Sequence, residues 1–262
     1  MQLSEANYYS READQAYFSA SQIKNFKKCE ARAMAELCRQ YERPASQALM
    51  IGQYVDAGLT GDLCAWEHEH PEIRKRDGSL KAEYVQAEEM VQRAMRDPLF
   101  MDYMAGDHQT ILTADLFGVP FKAKLDVIDW GLRIVDLKTV RDLSPVYLPG
   151  QGRVDFATAW DWPLQMAIYQ KIVEKATGNR LPCYLAVITK ENPPDIRVIH
   201  VDEERMEAEL AWLEQMLPRY DAIKQGAIEP ERCDKCAWCR QSRVLESAEP
   251  LSDFEEGGWI DE

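Results

Sequence analysis

The sequence has no apolar run long enough to cross a membrane. A transmembrane helix needs about 20 consecutive apolar residues, and no such run occurs here. The first residues, Met-Gln-Leu-Ser-Glu-Ala, also lack the basic start and the apolar middle of a signal peptide. We therefore expect a cytoplasmic protein with no membrane contact.

Positive charge is also scarce: 31 Lys and Arg residues stand against 45 Asp and Glu residues, so the net charge is −14. This balance argues against a protein that coats nucleic acid through bulk electrostatics, but it allows an enzyme with a local basic groove. A disulfide framework is not expected in the cytoplasm, so the 7 cysteines indicate metal binding or free thiols. A chain of 262 residues is long enough for one large domain with a full core.

The centre of the chain predicts two antiparallel strands. Apolar and charged residues alternate from Lys122 to Thr139, on both sides of a turn at Trp130-Gly131. Successive side chains of a strand point to opposite faces, so the charged residues of each strand share a face. These residues are Lys122, Lys124 and Asp126 before the turn, and Asp136 and Lys138 after it.

Two carboxylates and an ammonium group on neighbouring strands suit metal-assisted cleavage of a phosphodiester. The carboxylates of Asp126 and Asp136 would hold Mg²⁺ or Mn²⁺, and Lys138 would orient or polarise the attacking water. The alternative interpretation is a solvated hairpin face with an incidental Asp–Lys pair.

These residues resemble the PD-(D/E)XK nuclease superfamily. Asp126 stands at the family's Asp, and Asp136-Leu137-Lys138 stands at its (D/E)-x-K. No Pro precedes Asp126, and Asp replaces the commoner Glu before x-Lys; both departures are frequent in the RecB-like branch. The resemblance implies a restriction-endonuclease-like α/β core, with a small mixed sheet flanked by helices, and adds the Leu137 carbonyl to the metal ligands.

Two further motifs match the RecB-like branch. Gly52-Gln-Tyr-Val-Asp56 lies where that branch has Gly-x-x-x-His, so the resemblance makes Asp56 a metal ligand in place of the His; otherwise it is a partly exposed helix acid. Gln165 and Tyr169 are spaced i, i+4 on a helix and resemble the Gln-x-x-x-Tyr motif, which implies support of the site and contact with DNA. Lys122 and Lys124 are candidates to hold the DNA backbone.

Three cysteines at three-residue intervals, Cys233, Cys236 and Cys239, predict a metal site. Zinc sites more often pair Cys-x₂-Cys with a second, distant pair, whereas Cys-x₂-Cys-x₂-Cys is closer to a ferredoxin loop. Some RecB-like nucleases hold a [4Fe–4S] cluster with three such cysteines and one N-terminal Cys in a Ser-x₄-aromatic-x₂-Cys pattern. Residues 21–29 match that pattern and make Cys29 the fourth ligand. The final spacing between these cysteines is shorter than in those relatives, which leaves zinc as an alternative metal. Cys38 and Cys64 are weaker candidates.

The resemblance covers residues 19–240 and is closest to phage-encoded RecE-like exonucleases. We predict an irregular arm over 1–18, one nuclease domain over 19–245 that includes the cysteine module, and an acidic flexible tail over 246–262. Residues 61–78 read as a surface loop.

The resemblance implies a Mg²⁺-dependent exonuclease that resects linear duplex DNA in phage recombination, with a single-strand annealing protein as partner and an oligomer as one possible form. The alternatives are a CRISPR-type or repair nuclease acting on single strands, and an inactive, cluster-bearing DNA-binding or scaffold protein.

Overall fold

The computed structural model describes residues 2–44, 46–245, 247–248 and 250. The predicted acidic tail therefore lies almost wholly outside the described residues. The helices are α1 (Arg11–Ala16), α2 (Ala20–Lys28), α3 (Glu30–Leu37), α4 (Gln47–Thr60), α5 (Leu63–Glu69), α6 (Ala82–Met95), α7 (Pro98–Tyr103), α8 (Phe156–Ala159), α9 (Trp162–Thr177), α10 (Glu203–Lys224) and α11 (Ala237–Gln241). The strands are β1 (Asp107–Leu116), β2 (Val119–Asp129), β3 (Arg133–Val140), β4 (Val146–Leu148), β5 (Gly152–Val154), β6 (Cys183–Thr189) and β7 (Ile196–His200).

Five of these strands form one mixed sheet in the order β1-β2-β3-β6-β7. Strand β3 runs parallel to β6, and the other neighbouring pairs are antiparallel. The predicted central hairpin is confirmed as β2 and β3, and Gly131 takes a φ of 84° in its turn. Strands β4 and β5 form a separate short hairpin.

Helices cover both faces of the sheet, because side chains alternate between the faces along each strand. On one face, Ile128 and Ile134 are buried with residues of α9 and α10. On the other face, Val127 and Val135 are buried with residues of α4 and α6. The predicted α/β core, with a small mixed sheet between helices, is therefore confirmed. No helix in the described ranges is both long enough and apolar enough to span a membrane.

Two parts of the secondary-structure prediction are wrong. The stretch 61–78 contains α5, which the periodicity alone did not reveal. Trp66 on this helix packs edge-on against Tyr54 of α4, with the ring centroids 5.6 Å apart, so tertiary packing accounts for much of its stability. The arm is also not wholly irregular, since it contains α1, which Ser10 caps by accepting a hydrogen bond from the Ala13 amide.

Strands β2 and β3 separate in the middle of the sheet. They pair only at three positions close to the turn, and the last of these joins Val127 to Val135. Beyond it, Phe18 of the arm takes the place of β3: its amide donates to Pro120 O and its carbonyl accepts from the Lys122 amide, both at 2.8 Å. Asp126 and Asp136 each lie one residue beyond the last pair, where the two strands separate. The topology thus brings the two predicted catalytic acids to one point.

Candidate active site

An open cleft of about 780 Å³ lies at the point where β2 and β3 separate. Residues of the arm, α4, β1, β2 and β3 line it. Among them are four of the predicted site residues: Asp56, Asp126, Leu137 and Lys138.

Asp126 is partly buried on this cleft wall. Its Oδ2 accepts a hydrogen bond from the Leu137 amide at 3.0 Å, which fixes the carboxylate against β3. Burial, followed by the nearby Asp136 carboxylate, raises the pKa of Asp126 to about 8. Without a cation, the ionised form of Asp126 is therefore disfavoured.

Asp136 lies behind the cleft wall and is only 1% exposed. Its Oδ2 forms an ion pair with Lys138 Nζ, and its Oδ1 accepts a hydrogen bond from Gln165 Nε2 at 2.8 Å. Lys138 Nζ also lies 5.6 Å from the centroid of the Trp162 ring. Burial lowers the pKa of Lys138, but the Asp136 and Asp126 carboxylates outweigh burial and raise it, so the ammonium form is favoured.

Gln165 and Tyr169 are brought to the site by α9, at the predicted i, i+4 spacing. Gln165 Nε2 also contacts Tyr169 Oη at 3.2 Å. Burial, with Asp136 as the next cause, raises the pKa of Tyr169 well above its ordinary value, so the phenol stays protonated. This pair braces Asp136 from the side of the sheet that carries α9.

Lys24 of α2 completes the same network and was missed in the sequence. Its Nζ donates to Gln165 Oε1 at 2.7 Å. Burial and the neighbouring Lys138 ammonium lower the pKa of Lys24 to about 7. A lysine in a helix of several basic residues gave no signal, because the contact spans 141 residues of sequence.

Asp56 approaches from α4, on the opposite side of the cleft. Its Oδ2 accepts from Gln109 Nε2 at 3.1 Å, whereas its Oδ1 is buried with no hydrogen-bond partner. Burial raises the pKa of Asp56, and the neighbouring His108 and Lys124 counteract this only in part. A buried carboxylate oxygen without a donor is costly unless a cation satisfies it.

These carboxylates fit a hard divalent cation. Carboxylate and carbonyl oxygens are the ligands of Mg²⁺ and Mn²⁺, and Mg²⁺ keeps several of its waters. In the described part of the chain, Asp56, Asp126 and Asp136 do not form a closed ligand group. An open set of oxygens, with raised pKa values at Asp56 and Asp126 and one unpaired oxygen at Asp56, leaves room for water and a phosphate beside an ion.

The two lysines of β2 have different surroundings. Lys124 lines the cleft, 3.6 Å from Glu5 Oε1 and 6.0 Å from the Tyr9 ring centroid. Lys122 is 1% exposed; its Nζ donates to Tyr8 O at 2.5 Å and to Asp14 Oδ1 at 2.8 Å. The suggestion that Lys122 holds a DNA backbone is therefore wrong, because its ammonium anchors the arm to the sheet.

Four cysteines form a second cluster away from the cleft. The sulfurs of Cys29, Cys233, Cys236 and Cys239 all lie within 4.8 Å of one another. None of them forms a disulfide. Burial raises the pKa of Cys233, but amide donation from Cys236 and Lys235 outweighs it and lowers that pKa to about 6, which favours the thiolate. The predicted quartet is brought together, and Cys38 and Cys64 lie outside it.

The quartet joins the N-terminal and C-terminal parts of the chain. Cys29 ends α2 and caps α3, while the other three cysteines surround the start of α11. Glu30 reinforces the junction: it forms two hydrogen bonds with Arg219, at 2.7 and 2.8 Å, and accepts one from the Glu231 amide at 2.8 Å.

Comparisons with known proteins agree with this architecture. The family model described as a PDDEXK-like domain of unknown function, DUF3799, matches residues 19–242. The crystal structure of a candidate exonuclease from Eubacterium rectale has a TM-score of 0.93 and 39% sequence identity, and the match covers 98% of this chain and 99% of that chain. No curated protein matches the chain. The family and the structural neighbour support nuclease activity.

Proposed function

Because the chain belongs to the DUF3799 family of PDDEXK-like domains, we propose that it is a metal-dependent deoxyribonuclease that hydrolyses phosphodiester bonds at DNA ends. The observation that supports this best is the convergence of Asp126, Asp136 and Lys138 where β2 and β3 separate, beside an open cleft. A solvated hairpin face would not bury Asp136 or leave an oxygen of Asp56 without a donor.

Asp56, Asp126, Asp136 and the Leu137 carbonyl would hold one or two Mg²⁺ or Mn²⁺ ions. Such an ion, when bound, polarises the phosphoryl group and lowers the pKa of water. The side chains have separate tasks around it. The Leu137 amide fixes Asp126, and Gln165 fixes Asp136.

Lys138 is the residue that would act on the water and the phosphate. Its ammonium lies between Asp136 and the face of Trp162, so both its position and its charge are maintained. From there it orients the attacking water and offsets the negative charge that develops on the phosphoryl oxygens.

The preference for DNA ends and the biological role are more specific proposals than nuclease activity itself. The relative from Eubacterium rectale is named as a candidate exonuclease, and the sequence resembles phage-encoded RecE-like exonucleases. Both support resection of linear duplex DNA during phage recombination, with a single-strand annealing protein as partner. Lys124 on the cleft and Lys24 beside Gln165 supply local positive charge that the net charge of −14 does not preclude.

One observation favours a second candidate, a nuclease acting on single strands. Trp160 is 52% exposed, and Lys28 Nζ of α2 lies 6.0 Å from its ring centroid. Exposed aromatic rings beside basic residues bind unpaired bases by stacking, at about 1–3 kcal/mol per base. An inactive scaffold is not favoured, because the three central residues are present, Asp136 is paired with Lys138, and Asp126 is fixed one residue away by the Leu137 amide.

Digestion of matched substrates tests the proposal. Linear duplex, linear single-stranded and closed circular DNA are incubated with Mg²⁺ or Mn²⁺, with wild type beside Asp136→Asn and Lys138→Met. We expect wild type to degrade linear DNA only when metal is present, and both variants to lose at least 100-fold in rate. Cleavage of the circles would contradict the end preference, and intact DNA in every wild-type reaction would contradict the nuclease assignment.

A further inference from the structure

The spacing of the four cysteine sulfurs decides which metal centre they suit. Cys29 Sγ lies 3.6 Å from Cys239 Sγ and 3.9 Å from Cys236 Sγ, and Cys233 Sγ lies 3.9 Å from Cys239 Sγ. The remaining separations do not exceed 4.8 Å. The sulfurs therefore form a small tetrahedron.

A single zinc ion fits a tetrahedron of this size. Zinc binds thiolate at about 2.3 Å, and four sulfurs at tetrahedral angles then lie about 3.8 Å apart. In a [4Fe–4S] cubane each cysteine binds a different iron, so the four sulfurs stand on a much larger tetrahedron, with edges of roughly 6 Å. The observed contacts match the first value and fall far short of the second.

The backbone holds the sulfurs in this compact arrangement. In each of three places, a sulfur accepts the amide three residues further along the chain: Cys29 from Arg32 at 3.5 Å, Cys233 from Cys236 at 3.3 Å, and Cys236 from Cys239 at 3.4 Å. Amide donors of this kind offset the negative charge of metal-bound thiolates and fix their direction. Expansion of the site to cubane size would break these contacts or move the segments that carry them.

Packing around the sulfurs also opposes expansion. Cys29 and Cys239 are buried, and Ala31 and the partly buried Trp238 pack against them. The Ala31 amide is tied to Glu231 O at 3.0 Å, and Arg232 donates to Cys239 O at 2.7 Å. The walls of the site are therefore fixed from both ends of the chain.

We infer that Cys29, Cys233, Cys236 and Cys239 hold one structural Zn²⁺ rather than the [4Fe–4S] cluster that the resemblance to RecB-like nucleases implies. Four protein ligands close the coordination sphere, so the ion has no position for substrate or water. It is redox-inert and stabilises the junction between α2–α3 and α11. The nuclease site would then be independent of oxidation at this centre.

Metal analysis of the full-length protein tests the inference without reference to activity. The chain is purified both in air and under strictly anaerobic conditions, and zinc, iron and acid-labile sulfide are measured per chain. We expect one zinc per chain in both preparations, with no sulfur-to-iron charge-transfer absorbance. Replacement of the zinc by Co²⁺ should give the visible spectrum of a tetrahedral thiolate site.

Substitutions locate the ion. Cys236→Ser and Cys239→Ser should lower the zinc content well below one per chain, whereas Cys64→Ser, at an exposed cysteine outside the quartet, should leave it unchanged. Stoichiometric iron and sulfide in the anaerobic protein would overturn the inference, and so would a wild-type chain with neither metal. Neither result bears on whether the cleft cleaves DNA.

A separate observation concerns Gln109 on β1. The register of β1 with β2 is the same on both sides of Gln109, from His108–Val127 to Thr110–Leu125, but Gln109 and Asp126 between these pairs are not paired in the ladder. The φ of Gln109 is 51°, in the left-handed region that a glutamine seldom adopts. This strained backbone directs its side chain at Asp56 Oδ2.

We propose that Gln109 is a positioning residue for the metal ligand Asp56, an inference that rests on the proposed function. With Oδ2 held by Gln109, the unpaired Oδ1 is the oxygen left for the cation. Strained residues next to active sites persist when their side chains have a task, and partners of metal ligands typically change metal affinity 10- to 100-fold.

Gln109→Gly separates this role from a structural one, because glycine relieves the left-handed backbone while it removes the amide. We expect the metal-free thermal midpoint to stay level or rise, and Mn²⁺ affinity measured by calorimetry to fall about 10-fold. In an Asp56→Asn background the same change should have no further effect on affinity. If wild type and Gln109→Gly bind Mn²⁺ with the same affinity, the positioning role of Gln109 is overturned and the proposed function is not. If wild type binds no Mn²⁺, the metal-dependent function is overturned as well.

Discussion

Gln165 Nε2 donates a hydrogen bond to Asp136 Oδ1 at 2.8 Å, so helix α9 orients the carboxylate that β3 carries. The same amide group accepts from Lys24 Nζ through its Oε1. Gln165 therefore connects three elements of the structure, α2, α9 and β3, at one buried acid.

Replacement of this amide by a carboxylate tests its role. Gln165→Glu sets a second negative charge against Asp136 Oδ1, so we expect kcat to fall about 10- to 100-fold, the range seen when the partner of a metal ligand is lost. The thermal midpoint should change little. Tyr169→Phe is the matched control, because it removes only the 3.2 Å contact with the same amide, and it should cost less than about 5-fold. Equal losses in the two variants would contradict this account.

The stability of the metal-free protein should fall as the pH rises. The folded-state pKa of Asp126 is raised to about 8 by burial and by Asp136, well above its unfolded value of about 4. The native state therefore binds more protons than the unfolded state between about pH 4 and pH 8, and the stability from this group is lost across that window.

Denaturant titrations at pH 5, 6.5 and 8 measure this dependence. We expect the decline to be smaller in Asp126→Asn, and Mn²⁺ to restore stability at pH 8 with release of protons to the buffer. A metal-free stability that increases from pH 5 to pH 8 in wild type and in Asp126→Asn alike would rule out the raised pKa of Asp126.

Lys24 should make DNA binding depend on pH near neutrality. Burial and Lys138 lower its pKa to about 7, so its charge is lost as the pH rises from 6 to 8. We expect KM for linear DNA to increase over this range in wild type, and to vary less in Lys24→Arg, whose guanidinium stays charged. Lys24→Met should show the high KM at every pH. Parallel profiles for all three proteins would mean that Lys24 does not contact the substrate.

The substitutions Lys122→Met and Lys124→Met should have different effects, the first on stability and the second on DNA binding. Lys122 is buried and paired with Asp14, so its loss removes an anchor of the arm and should cost about 2–4 kcal/mol of unfolding free energy. Lys124 lies on the cleft with an exposed partner, so its loss should cost less than about 1 kcal/mol but should weaken DNA binding. Urea denaturation and fluorescence anisotropy with a DNA oligonucleotide measure the two effects, and a reversal of the two results would refute the assignment.

The sequence was enough to predict those parts of the site that depend on local sequence pattern. The alternation along β2 and β3, with a glycine in the turn, determines the register that brings Asp126 and Asp136 together. The spacing of Gln165 and Tyr169 needs only a helix. These spacings are short-range, so periodicity reports them, whereas the assignment of Gln165 and Tyr169 to the site comes from the resemblance to RecB-like nucleases.

Other parts depend on tertiary structure and left no local signal. Lys24 meets Gln165 across the domain, and Gln109 donates its side-chain amide to Asp56 of another element. Helix α5 depends on Trp66 packing against α4. The burial of Lys122 follows from the arm that covers it, whereas its place in the strand pattern is the same as that of Lys124.

Anomalous diffraction from crystals soaked in Mn²⁺ would locate the metal site. We expect an anomalous peak within coordination distance of carboxylate oxygens of both Asp126 and Asp136, in the cleft and apart from the cysteine quartet. Crystals with ordered Asp126 and Asp136 but no peak between them at saturating Mn²⁺ would contradict this prediction.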